Sequence, residues 1–459
     1  MNRVAVLNVV GLTKGLIGEF TPRIKAFAEA GQLSSFKPAF PAVTCTAQSS
    51  YVTGLPVEDH GIVANGWYDR EAAEVKFWKQ SNHLVKGEKI WERLRRMNPE
   101  FTCAKLFWWY NMYSSADWTI TPRPAYPANG RKVFDVYSQP MGMKEEIKSE
   151  LGDFPFPSFW GPNAGVASSQ WIADSAKWVE REKKPTLSLV YLPHLDYCLQ
   201  KYGPDLGDER VSGELQAIDK LVGEMIDFYT ERDVEVILLS EYGISAVDQP
   251  VHLNRIFREK GWITIKDELG LEMLDCGASK VFAVADHQVA HVYVNDASLM
   301  DEVREVLEKS SGVDEVRSDF SGYSAERAGD LIAVAKPNAW FTYYYWEDDN
   351  VAPDFARCVD IHRKVGYDPV ELFLDPELKF PKLTIAKFLL KKKLGFRALL
   401  EVIPLDANLV KGSHGRDNVS VDEQPIFVTQ GMSDQGEVAY PEEIADRIVQ
   451  RVMSGSTTS

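Results

Sequence analysis

The sequence predicts an α/β fold in which a mainly parallel sheet carries helices on both faces, and three observations predict it. Continuous apolar runs bounded by polar residues alternate along the chain with amphipathic stretches, the order expected of strand–helix units. The runs in "RVAVLNVVGL", "LSLVYLP" and "VEVILLS" lack polar alternation, as in strands buried on both faces. The chain has 459 residues, 45% of them hydrophobic, enough to bury a large core.

Taken in order, "RVAVLNVVGL" reads as a central strand. "TPRIKAFAEAGQL" reads as an amphipathic helix stopped by Gly31. The stretch "FPAVTCTAQSSYVTGLPVEDHGI", Phe40 to Ile62, reads as a strand end, a polar turn bearing Thr44, and a helix start. There "SSYVTGL" forms the first turns and Gly54 and Pro56 end them. "EKIWERLRRM" is helical and "TCAKLFWWYN" is a buried strand. "PTLSLVYLPHLD" and "VEVILLSEYGI" are strands separated by the helix "GELQAIDKLVGEMIDFYTERD". "KVFAVADHQVAHVYVND", "LMDEVREVLEKSSGV" and "DLIAVAKPNAW" form a β-α-β set. The domain expectation is therefore a discontinuous core, 1–270 and 336–450, an inserted α+β subdomain, 271–335, and a disordered tail, 451–459.

A formal net charge of −16 argues against nucleic acid or an anionic membrane as the main partner. A small anionic substrate remains compatible, because a helix N-terminus or a local cation acts within one pocket. No apolar run is long enough to span a membrane, so no stable membrane insertion is expected. "MNRVAVLNVVGL" reads as a strand rather than a signal peptide. The five scattered cysteines form no CxxC pair, which fits a reducing cytoplasm. "KLTIAKFLLKKKLGFRALL" is basic and amphipathic. It reads first as a solvated helix face, with contact to a membrane surface as the other reading. Oligomeric state leaves no mark in the sequence.

Ligands of open α/β sheets bind outside the carboxyl ends of the strands. Four polar clusters lie at such positions: Thr44; His194 with Asp196; Glu241 with Tyr242; and a late loop with His414, Arg416 and Asp417. Their distance in sequence is that of a composite active site. His287 and His291, four apart in "ADHQVAHVYV", share a face if the segment is one strand, and then converge on a ligand. The alternative for each histidine is a hydrogen-bonded structural role. His362, in "CVDIHRKVGYDP", and Arg123, in "TITPRPAYPANGRK", are candidates for a pocket wall and an anion-binding loop. By itself Thr44 also fits a helix N-cap. Cys45 has no base beside it in the sequence and reads as packing.

These residues resemble the alkaline phosphatase superfamily, and within it the nucleotide pyrophosphatase/phosphodiesterase branch. The matching motifs are Phe40-Pro41 with Thr44, then Val52-Thr53-Gly54-Leu55, then His60-Gly61-Ile62, with Asn65 just after. Further on come Asp196 before "KYGP", and Gly412, His414, Gly415, Asp417 and Asn418 in the late loop. The resemblance spans Arg3 to Gly431. It implies an alkaline-phosphatase-like core sheet and a hydrolase of a phosphate monoester, diester or phosphonate. It also implies that Thr44 attacks phosphorus to form a phospho-enzyme while Asn65 binds a non-bridging oxygen. Metal would be held by Asp196, Glu241 and His414, helped by Gln200 and His194. His287, His291, His362, Tyr242 and Arg123 are then alternative ligands or substrate contacts.

The chain departs from that pattern at ligand positions. Val10 stands where the family's first strand ends in aspartate, Glu241-Tyr242 where it has aspartate–histidine, and Gln200 where it has histidine. The expected cofactor is thus a divalent ion, one rather than two, with zinc, manganese or magnesium as candidates. Two rival expectations follow: a pseudo-hydrolase of the same fold that binds a ligand or partner, or a metal-free enzyme using His287 and His291.

Overall fold

A computed structural model describes residues 1–318, 320–396, 398–430 and 436–454. Its centre is an eight-stranded sheet in the order Gly31–Ser35, Ile426–Gln430, Val234–Leu239, Arg3–Val9, Leu187–Leu192, Cys103–Leu106, Trp118–Pro122, Val136–Gln139. The five strands from Val234–Leu239 to Trp118–Pro122 run parallel, and the outer strands are joined to them by antiparallel pairings. The apolar runs explain the arrangement. Arg3–Val9 lies between two parallel neighbours, pairing Val6 with Leu189 on one side and with Ile237 on the other, and its apolar side chains are buried on both faces. The helices Glu209–Thr230 and Val166–Lys183 add their own buried residues to the same core. All of these apolar groups leave water on folding, the main favourable contribution to stability.

The set within 271–335 is an antiparallel four-stranded sheet, Val281–Asp286, Val289–Val294, Leu331–Ala335 and Val313–Arg317, with the helix Met300–Lys309 packed on it. "KVFAVADHQVAHVYVND" is therefore a hairpin, not one strand. Residues 451–453, expected in a disordered tail, end the helix Glu443–Met453. Residues 455–459 lie outside the described residues. Trp340 and the aromatic run Tyr343–Trp346 are buried in a second core.

Lys105, on Cys103–Leu106, is 1% exposed. Its Nζ donates to the carbonyls of Trp109 (2.8 Å) and Tyr110 (2.9 Å). Burial lowers its pKa to about 7. The unfolded lysine titrates near 10.5, so between these values the unfolded chain binds more protons and stability rises with pH. The wild type is expected to gain melting temperature relative to Lys105→Met between pH about 7 and about 10. A difference that stays flat over this range would show that the amine is not the titrating group.

Candidate active site

Thr44, Asp196, Glu241, Tyr242 and His414 meet at the carboxyl ends of the parallel strands, whereas Arg416 pairs with Asp314 and Asp417 with Arg317. Thr44 is the first residue of the helix Thr44–Thr53, which Gly54 ends at φ 68°. The helix thus starts earlier than "SSYVTGL" suggested, and its first-turn amides, which have no intrahelical acceptor, lie at Thr44. No side-chain cap is present, so Thr44 is not the N-cap; Val43 is. The Thr44 hydroxyl lies 3.0 Å from the Tyr242 phenol. Glu241 and Tyr191 lie close by.

Glu241 is fully buried at the end of Val234–Leu239. Its Oε1 accepts from Asn8 Nδ2 (2.6 Å) and Gln48 Nε2 (2.7 Å). Burial raises its pKa to about 7, against the opposing pull of the Gln48 and Asn8 hydrogen bonds. Asn65 sits against the first turn of the helix Thr44–Thr53. Its Oδ1 accepts from the Cys45 amide (3.0 Å) and its Nδ2 donates to Asp286 Oδ1 (3.1 Å). An amide NH₂ has two hydrogens, so one donor of Asn65 remains for a ligand. Asp286 also accepts from the Asn65 amide (2.8 Å) and from His287 Nδ1 (2.7 Å), and burial lifts its pKa to about 6.

Asp196 and His414 come together from distant segments. Gly412 lies so close to the helix His194–Tyr202 that a Cβ there would meet Leu199 O at 2.1 Å, and this approach seats the late loop. His414 Nδ1 donates to Ala42 O (2.7 Å), leaving Nε2 as a lone pair 3.8 Å from Asp196 Oδ1. Burial pushes Asp196 up to about 8, opposed by the Gln200 hydrogen bond and reinforced by Glu241. His414 is the middle of a column of rings. Tyr242 stacks on one face (centroids 3.7 Å) and His287 lies against the other (3.7 Å), followed by Tyr367 (3.6 Å).

Several expected positions differ. Pro193 starts a helix at His194, so His194 and Asp196 are helical neighbours pointing about 200° apart, not strand residues on one face. His194 instead faces Glu214 at 3.5 Å. Gln200 does reach Asp196, one turn on, but through its amide nitrogen (2.7 Å); its oxygen accepts from Tyr367 (2.9 Å). His287 occupies the hairpin turn at φ 61° and joins the site, whereas His291 lies on the following strand. There His291 donates to Val63 O (3.1 Å) and accepts from the Gly329 amide (3.1 Å), a structural role. The two histidines therefore do not converge. His362 is exposed on a loop near Phe77 O, and Arg123 is exposed on its own loop. A cleft of about 530 Å³ lined by His252, Arg255 and Tyr344 holds none of the predicted residues.

Sequence reasoning missed Asn8, Gln48, Tyr191, Asp286 and Tyr367. Gln48 follows Thr44 by one helical turn and Asp286 adjoins His287, so spacing could have found both. Asn8 breaks an apolar strand. Tyr191 and Tyr367 carry no local signal.

The family resemblance implies two divalent ions and the altered ligand positions one, and these donors would have to hold them. Each would need about four ligands. Among the described residues no group of three or more His, Cys, Asp or Glu is placed to hold a metal ion. Val10 is fully buried among apolar residues. Tyr242 is packed on His414, and Gln200 offers nitrogen where a ligand needs oxygen. Asp196 Oδ1, Glu241 Oε2, His287 Nε2 and His414 Nε2 are buried without hydrogen-bond partners, but they do not form one coordination sphere. The residues present do not fit the two-metal arrangement.

The sequence model of the type I phosphodiesterase / nucleotide pyrophosphatase family matches residues 4–368. An uncharacterised pyrophosphatase/phosphodiesterase of Schizosaccharomyces pombe is 25% identical over 237 residues, 49% of this chain and 41% of that protein. Human ectonucleotide pyrophosphatase/phosphodiesterase family member 1 is 24% identical over 251 residues, 52% of this chain and 23% of that protein. The chain thus spans less than half the length of these relatives. Phosphonoacetate hydrolase from Sinorhizobium meliloti, solved with phosphonoformate, superposes with TM-score 0.61 at 13% identity, covering 98% of this chain and 96% of that one. Murine ectonucleotide pyrophosphatase/phosphodiesterase 5, solved with AMP, gives 0.59 at 14% identity, covering 99% and 95%. Such similarity confirms the alkaline-phosphatase-like core sheet expected from the sequence, and with the family match over most of its length the chain belongs to the type I phosphodiesterase / nucleotide pyrophosphatase family.

Proposed function

We propose that this protein hydrolyses a small phosphate ester, phosphodiester or phosphonate through Thr44, by acid–base chemistry in place of a two-metal clamp. The observation that carries the reading is the buried Thr44 hydroxyl, at the first turn of a helix and 3.0 Å from the Tyr242 phenol, with Glu241 close by and Asn65 bonded to the next amide. In this mechanism Thr44 Oγ1 attacks phosphorus and passes its proton to Glu241, which Asn8 and Gln48 hold in place. Burial keeps the Tyr242 phenol protonated, so it donates to a phosphoryl oxygen, as do the Thr44 amide and the remaining Asn65 hydrogen. Asp196, protonated in its buried site, gives its proton to the departing group as the bond to phosphorus breaks, to oxygen from an ester and to carbon from a phosphonate. Water then attacks the threonyl phosphate, and the proton passes back through the same two carboxyl groups. Two carboxyl groups with opposite starting protonation states make a recurring acid–base pair.

AMP and phosphonoformate, bound by the two structural neighbours, set the substrate class we propose: small, anionic and phosphorus-containing. The five cysteines are free and buried, which fits a reducing, cytoplasmic setting. Among the described residues no helix is long and apolar enough to cross a membrane.

A second reading has its own observation. With Val10 buried and Tyr242 stacked on His414, the site suits a ligand-binding relative that no longer turns over. Hydrolysis of bis-p-nitrophenyl phosphate and phosphonoacetate, with calorimetry of phosphonoformate, separates the two. The first reading expects turnover that zinc or manganese changes by less than about twofold. It also expects Glu241→Gln to lower kcat roughly a hundredfold or more. Binding without turnover selects the second reading, and strong stimulation by metal overturns the acid–base mechanism.

A further inference from the structure

A surface apart from the active-site residues lies in the segment between Tyr367 and His414. Between Glu377 and Glu401 the sequence holds six lysines, one arginine and no acidic residue, in a chain of net charge −16. Its centre is the helix Pro381–Lys393. Leu383, Leu390 and Leu394 are each more than half exposed, and Phe396 and Leu399 beyond them are too. Large apolar side chains exposed together on one surface mark an interaction site.

The spacing orders this surface. Leu383, Ala386, Leu390 and Leu394 follow at three, four and four residues, so they form one stripe along the helix, and all four are exposed. Ile385 and Phe388 fall on the opposite side. Both are only partly exposed, and Ile385 packs against the aromatic core that contains Trp340 and Trp346. One face thus seats the helix on the protein and the other presents leucine to the outside. Lys387 and Lys391 border the stripe on one side, and Lys382 and Lys393 on the other.

From this arrangement we propose that the segment 379–400 docks on a membrane surface carrying anionic lipid headgroups, lying in the interface plane without crossing it. The leucines enter the headgroup boundary and the bordering lysines meet the lipid charge. A 13-residue helix is about 20 Å long, too short to span a bilayer but suited to lie in its interface. Charge selects this occupant over a second copy of the chain. A symmetric dimer through the stripe would set the same basic clusters against each other. Nucleic acid would engage the lysines but would leave the aliphatic stripe unmatched. This proposal is independent of the hydrolase reading.

The test is sedimentation of the full-length protein with vesicles of phosphatidylcholine alone, or with about one-third phosphatidylserine. Binding is expected only to the anionic vesicles, weakened at least about tenfold by salt near 0.5 M. Leu383→Ser/Leu390→Ser/Leu394→Ser and Lys387→Glu/Lys391→Glu are each expected to lower the partition coefficient about tenfold. Both should leave the melting temperature unchanged, because the replaced side chains are exposed. Absence of binding to anionic vesicles overturns the proposal. So does full binding by the leucine variant, which would reduce the effect to charge adsorption. A concentration-dependent dimer that the leucine variant abolishes, without vesicle binding, would assign the stripe to a second copy instead.

Discussion

Thr44→Ala is expected to lower kcat for bis-p-nitrophenyl phosphate by roughly a thousandfold or more, while phosphonoformate affinity stays within about threefold. The asymmetry follows from the site. The Thr44 amide and Asn65, which would hold the phosphoryl oxygens, do not depend on the Thr44 side chain, whereas the attacking oxygen is lost outright. Cys45, the adjacent nucleophile, cannot take over. It is fully buried, and burial raises its thiol well above the ordinary range. Thr44→Ser keeps a hydroxyl near Glu241 and Tyr242 and should retain measurable turnover. A Thr44→Ala enzyme running at the wild-type rate would place the nucleophile elsewhere. Loss of phosphonoformate binding in that variant would make Thr44 a ligand contact rather than a nucleophile. Quenched turnover of the wild type on bis-p-nitrophenyl phosphate should yield the p-nitrophenyl phosphodiester of Thr44 and of no other residue, which the alanine variant cannot give.

How much of this was legible in the sequence depends on the range of each interaction. The parallel strands were readable because burial on both faces leaves an unbroken apolar run, as in Arg3–Val9 and Leu187–Leu192. Thr44 and Asn65 were readable because a helix start and the turn after it lie within one local segment. His194 was misplaced because the apolar run was extended through Pro193, although proline after such a run marks a helix start as readily as a strand end. The pairing of His287 with His291 failed for a subtler reason. A two-residue hairpin turn usually announces itself with glycine or asparagine. Here His287 itself takes the left-handed conformation, so the turn left no signature. The supporting shell was out of reach altogether. Asn8 meets Glu241 across 233 residues, Gln48 meets it across 193, and Tyr367 meets Gln200 across 167. Only the fold decides such contacts.

The loop that delivers Tyr367 is held by a buried ionic group, and its removal should be the most damaging single change to stability. Lys364 Nζ lies 2.7 Å from Asp368 Oδ2 and 2.7 Å from Glu371 Oε1, and all three side chains are essentially excluded from solvent. Glu371 also accepts from Trp160 Nε1 (2.5 Å) and the Asp360 amide (2.9 Å), which ties the loop to two other segments. In Lys364→Met two buried carboxylates lose their cation, at a cost of about 3–5 kcal/mol. Adding Asp368→Asn and Glu371→Gln removes the uncompensated charge and should recover much of that loss. The pH dependence gives an independent check. Burial alone would lower the Lys364 pKa, but Asp368 and Glu371 outweigh it and raise it above 10.5. Its stabilisation is therefore full at neutral pH and is lost only as strongly alkaline pH passes through the folded value. Burial raises Glu371, so the folded chain binds its proton more readily than the unfolded one. Without the lysine this effect grows, and the melting temperature of Lys364→Met should climb toward that of the wild type as pH falls from about 8 to about 5. Tyr367 then connects stability to the site. It stacks on His287 and holds Gln200 against Asp196, so the same variant should lose turnover before it unfolds. A Lys364→Met protein with wild-type melting temperature across this range would show that the ion group does not hold the loop.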